Sequence, residues 1–103
     1  MSGVDLAAFR ASLSGTAPPD GLSSLLRALW HDAKGDWNRA HQMVQDEEGR
    51  DAAWVHAYLH RKEGDPSNAG YWYRHAGTPP CKTSLEDEWE SIAARLLAAA
   101  DRP

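Results

Sequence analysis

The chain has 103 residues and a formal charge of −4, with 42% hydrophobic and 25% charged residues. That length makes one domain with one modest core. The acidic balance, with no run of Lys or Arg, excludes the electrostatic footprint of a nucleic-acid or anionic-membrane binder, and no stretch approaches the roughly 20 apolar residues of a membrane span. The single cysteine, Cys81, excludes an internal disulfide and fits a reducing, cytoplasmic setting.

No segment alternates apolar and polar residues with period two over a useful length, so the expected fold class is all-α, about six helices in one domain over 1–103. In residues 1–19, a weak stripe of Val4, Leu6, Phe9 and Leu13 predicts a helix ending at Gly15, followed by the Pro-rich linker TAPPD. Residues 20–48 predict a first hairpin. Its first helix runs from Gly21 to Lys34, capped by Asp20, with Leu22, Leu25, Leu26 and Leu29 on one face. Gly35 stops it, and Asp36 caps a second helix from Trp37 to about Asp46, with Trp37, Ala40, Met43 and Val44 inward.

Residues 49–77 predict a second hairpin. Asp51 to Glu63 lacks proline and glycine; Gly64 ends that helix, Asp65 caps the next, and Pro66 suits a first helical position. The fifth helix runs to about His75, stopped by Gly77 and by Pro79-Pro80. Thr83 with Glu86, or Ser84 with Asp87, offers a capping box for a last helix over 83–100, with Leu85, Trp89, Ile92 and Leu96 facing the core. Trp30, Trp37 and Trp72, also at helical spacings, are expected in the core with Trp89.

The shift that carries Ala28 onto Ala57 also carries His31 onto His60, Gly35-Asp36 onto Gly64-Asp65, Ala40 onto Ala69 and Val44 onto Tyr73. A duplicated hairpin explains this: small residues let two helices approach, and bulky ones fill the space around the crossing. The segments GDWNRAHQMV (35–44) and GDPSNAGYWYRHA (64–76) resemble the turn and second helix of tetratricopeptide and Sel1-like repeats. The resemblance covers 25–76, with His31 and His60 where the family carries tyrosine. It implies antiparallel hairpins closed by N- and C-terminal capping helices, with the first helix of each pair lining a groove. The block from His56 to Gly77 also resembles the core of a family of small proteins without assigned function, which supports the domain boundary and implies no chemistry.

The positions matching that groove are Trp54, Tyr58, Arg61 and Lys62. Aromatic plates beside fixed cations suit a peptide, a small acidic ligand or a second copy of the chain. Leu22, Leu25 and Leu29, if uncovered, would give a dimer its apolar patch. The alternative is a small metal-dependent enzyme. His56 and His60, at i and i+4, place two imidazoles on one helical face, with His31 related by the repeat and Glu63 one turn on, a set suited to Zn or Fe. The glutamate of the metalloprotease pattern is missing from His-Ala-Tyr-Leu-His, and no third ligand has diagnostic spacing, so buried histidine is favoured over a metal. His41 and His75 are acid–base candidates without a recognisable nucleophile. A binding or scaffold module with a protein or peptide partner is expected ahead of an enzyme.

Overall fold

The computed structural model describes residues 4–100, and every regular element among them is helical. α1 spans Leu6–Ala11 and runs into a short 3-10 turn at Ser12–Ser14; α2 is Ser24–Ala33, α3 Trp37–Val44, α4 Arg50–Glu63, α5 Pro66–Ala76 and α6 Leu85–Ala100. α2 packs with α3 and α4 with α5 as helical hairpins, and α6 contacts α2 and α4, one helix of each. The all-α expectation holds.

The two hairpin corners are built alike. Gly35 and Gly64 both sit at φ +90°, a left-handed position that glycine adopts without strain. The following N–H groups, of Asp36 and Asp65, donate to the carbonyls of His31 and His60, each at 2.9 Å. The same aspartates then start the next helix: Asp36 Oδ1 accepts from Arg39 N at 3.1 Å and Asp65 Oδ1 from Asn68 N at 3.2 Å. A Gly-Asp dipeptide thus stops one helix and caps its successor, and each cap contributes about 1 kcal/mol. The paired alanines of the sequence repeat are all buried: Ala28, Ala57 and Ala40 at 0% exposure and Ala69 at 3%. What the hairpins share is this local geometry, and it carries no family assignment.

One core joins α1, α2, α4 and α6 around Phe9, Leu29, Trp30, Leu59, Trp89 and Ile92. Phe9 stacks on Trp89 with ring centroids 5.5 Å apart, and Trp89 Nε1 donates to Leu29 O at 3.0 Å. Trp30 Nε1 reaches Ser12 Oγ at 3.1 Å, and Trp37 Nε1 reaches Leu59 O at 2.8 Å. Each of these indoles therefore packs its ring on the core while pairing its single donor. A smaller cluster of Ala57, Ala69 and Tyr73 fills the α4–α5 crossing. α4 is central: it touches α2, α3, α5 and α6, and every residue from Val55 to His60 is buried.

The structure corrects several boundaries. α2 starts at Ser24 because Gly21 lies at φ +83°, and Ser23 Oγ, not Asp20, accepts the first free amide, from Leu26 at 3.2 Å. The N-terminal helix is short, capped by Asp5, whose carboxylate accepts from Ala8 N at 2.8 Å. α3 stops at Val44, ahead of the expected end, and α5 runs on to Ala76. At α6 the Ser84 cap is the one used, its hydroxyl accepting from Asp87 N at 3.0 Å. Leu22 and Leu25 are half-buried against the core and Leu29 is fully buried, so the apolar patch expected to serve a dimer is covered. Trp37 and Trp72, expected inside, are half-buried at the edge of the core.

Candidate functional site

α4 presents two chemically different faces, and the sequence-derived ligand face turns inward. Trp54 Nε1 and Tyr73 OH donate to Glu88 Oε2 at 3.0 and 2.7 Å, and Arg61 Nη1 donates to Glu88 Oε1 at 2.9 Å. Arg61 also donates to the carbonyl of Thr83. Tyr58 OH donates to Asp32 Oδ2 at 3.0 Å and Lys62 Nζ to Asp32 Oδ1 at 3.1 Å. The side chains of Asp32 and Glu88 are 0% exposed. Trp54, Tyr58, Arg61 and Lys62 do converge on carboxylates, but these belong to α2 and α6 of the same chain. A small acidic ligand would have to displace them. A cleft of about 280 Å³ beside Asp32, Tyr58 and Lys62 does not change this, because its rim cation, Arg10, is already paired with Glu86 and Glu90.

These two carboxylates had a legible signal that the sequence reading passed over. Asp32 stands three residues after Leu29 and seven after Leu25, and Glu88 lies between Leu85 and Ile92, both in the apolar stripes of their helices. A charge in such a stripe requires a buried partner. Burial first, and then the adjacent carboxylate, push the Tyr58 and Tyr73 hydroxyls well above the ordinary tyrosine value. The folded state therefore holds both phenols protonated. Their contribution is fully present below the unfolded value of about 10 and is lost as pH rises beyond it. In an alkaline titration, phenolate absorbance from these two tyrosines should appear only together with loss of helical circular dichroism; ionisation within an intact fold would contradict the buried pairing.

The opposite face of α4 meets α3 and α5 through histidines and tryptophans. His41, His56 and His60 each bring a ring nitrogen to within 4.8 Å of the others. His56 is 3% exposed, its Nε2 donates to Val44 O at 3.0 Å, and its ring lies flat on Trp72 with centroids 4.1 Å apart. His60 Nδ1 lies 2.6 Å from Glu63 Oε2, with the Asn68 amide nitrogen at 3.5 Å. His41 is half-buried and stacks on Trp37 at 5.0 Å. Burial, and then His60, hold the His41 pKa below its ordinary value; burial does the same to His56.

His31, the third histidine expected from the repeat, is not in this cluster. It stands half-buried on α2, edge-on to Trp30. The physical reason is simple: residues equivalent by a repeat occupy the same place in successive hairpins and so lie one hairpin apart. The histidine that arrives is His41, from the second helix of the first hairpin. Glu63 is present, bonded to His60, as the sequence set had it.

Beyond Trp72 the surface opens into a cleft of about 610 Å³ between the acidic turn Asp46-Glu47-Glu48 and the α5 side chains Tyr71, Trp72 and His75. Among the described residues Tyr71 is the one large hydrophobic side chain recorded as exposed, at 47%. Its ring contacts Trp72 edge-on at 5.1 Å and His75 at 4.5 Å. Asp46, Glu47 and Glu48 form no ion pair among the described residues, although Arg50 also lines the cleft. Among the described residues no helix is long and apolar enough to cross a membrane. The site and fold together define a small all-α protein of two helical hairpins whose open aromatic surface lies at the α3–α4 turn and α5. The chain matches no protein-family model, no curated protein and no solved structure.

Proposed function

We propose that the protein is a non-enzymatic binding module that takes a basic peptide segment into the cleft between the Asp46–Glu48 turn and Tyr71, Trp72 and His75. The observation that carries this is a cleft with the exposed Tyr71 and the half-buried Trp72 on one wall and carboxylates without an ion pair among the described residues on the other, while the cations of the α4 stripe are engaged internally. A lysine or arginine side chain matches both walls: its charge suits the acidic turn and the π-face of Tyr71 or Trp72, and its methylenes cover aromatic surface. The peptide partner expected from sequence is kept, and the sign of the ligand is reversed. Its net charge of −4 favours encounter with a cation and repels an anion.

The test is a titration with a short lysine-rich peptide and its glutamate-rich counterpart, followed by intrinsic fluorescence at low and high salt. The basic peptide should bind and weaken with salt, the acidic one should not bind, and Tyr71→Ala should weaken binding roughly 5- to 10-fold. Because Tyr71 is exposed, its replacement should leave the melting temperature unchanged. Equal binding of both peptides, or none of either, would remove this assignment.

A further inference from the structure

We propose that His41, His56 and His60 form a binding site for one borderline transition-metal dication, of which Zn2+ is representative. His56 Nδ1 is fully buried and is the one side-chain nitrogen or oxygen recorded as buried without a hydrogen-bond partner among the described residues. Burying such a group is unfavourable unless something pairs it. Its tautomer follows from the other ring nitrogen: a carbonyl only accepts, so the 3.0 Å contact with Val44 O puts the proton on Nε2 and leaves a lone pair on Nδ1.

The same logic applies to His60. The carboxylate of Glu63, 2.6 Å from Nδ1, accepts a hydrogen bond from Nδ1–H, which in the neutral imidazole leaves the lone pair on Nε2. Two imidazoles are thus each anchored through one nitrogen, to a carbonyl and to a carboxylate, with the second nitrogen free. Outer partners of that kind fix the tautomer and orientation of metal-bound histidines. His41 contributes the third imidazole, packed edge-on against both, at centroid distances of 5.5 Å to His56 and 5.2 Å to His60. Flat stacking on Trp37 and Trp72 holds the outer two rings in place.

The donor set selects the ion. Three neutral imidazoles, with the nearest carboxylate engaged as an outer partner, suit zinc, copper, nickel or iron and suit calcium or magnesium poorly. Three protein ligands leave a further position to water or another small ligand. The ion would also join the hairpins, because His41 lies on α3 and the other two on α4. This site stands independently of the peptide cleft, although Trp72 lines one and stacks against the other.

The experiment is a Zn2+ titration of the untagged full chain, followed by calorimetry and thermal melting, with Mg2+ as a control. One zinc per chain should bind, and at about 100 times Kd the melting temperature should rise by roughly 10 °C or more. His41→Gln, at a half-buried position free of hydrogen bonds among the described residues, should fold and bind at least roughly 10-fold more weakly, whereas His75→Gln should bind as the parent does. Glu63→Gln, altering a positioning residue, should keep the stoichiometry and lower affinity roughly 10-fold or more. His56→Ala should lose zinc binding; should it fail to fold, ligand-field absorption of bound Co2+, expected in the parent and lost in His41→Gln, decides in its place. Absence of zinc binding at micromolar concentrations, or binding that survives His41→Gln or disappears in His75→Gln, would overturn the proposal.

Discussion

Replacing Glu88 with alanine should destabilise the fold by about 3–5 kcal/mol, a large part of the total stability of a domain this size. Glu88 is fully buried and accepts from three donors on two other helices: Trp54 and Arg61 on α4 and Tyr73 on α5. Alanine leaves a guanidinium only 25% exposed, an indole N–H and a phenol without their acceptor, and water reaches that space poorly. Asp32→Ala should cost less, about 1–3 kcal/mol, because Lys62 is 36% exposed and can rehydrate, leaving chiefly the Tyr58 hydroxyl unpaired. The order of the two variants in urea denaturation is the diagnostic quantity. A loss below about 1 kcal/mol for Glu88→Ala would mean that α6 is not held to α4 by this network.

Trp89→Ala should cost a further large amount, about 3–5 kcal/mol, by a different mechanism. This side chain fills the space between α1, α2 and α6: it stacks on Phe9 and donates to Leu29 O. Alanine opens a cavity that helices anchored at capped corners cannot easily close. Trp89→Phe separates the contributions in part, since it keeps an aromatic ring against Phe9 while losing the N–H and the second ring, for about 1–3 kcal/mol. Near-equal losses for the two variants in denaturant melts would show that the hydrogen bond, and not the packing, dominates.

The helical hairpins were legible because their signals are local. Gly64-Asp65-Pro66 states a stop, a cap and a start within three residues, and Gly35-Asp36 repeats the first two. Helix ends set by weaker competitors were not legible: Ser23 displaced Asp20 as a cap because Gly21 takes a left-handed conformation, which no apolar pattern shows. That Trp54, Tyr58, Arg61 and Lys62 share one side of α4 follows from helical spacing alone. Their partners were missed because Asp32 and Glu88 are distant in sequence and were passed over as charges within apolar stripes. For the histidines the i, i+4 spacing identified His56 and His60, and no spacing rule reaches from α4 to His41 on α3. The repeat pointed to His31 because it relates equivalent places and says nothing of adjacency.

The central functional claim is that the α4 stripe is engaged inside the molecule and that the open surface lies across α5 and the acidic turn. Backbone amide chemical shifts recorded while a lysine-rich peptide is added test it most directly. Perturbations concentrated at residues 45–50 and 71–75, with Trp54, Tyr58, Arg61 and Lys62 unmoved, are the expected pattern; perturbations centred on those four residues would contradict it.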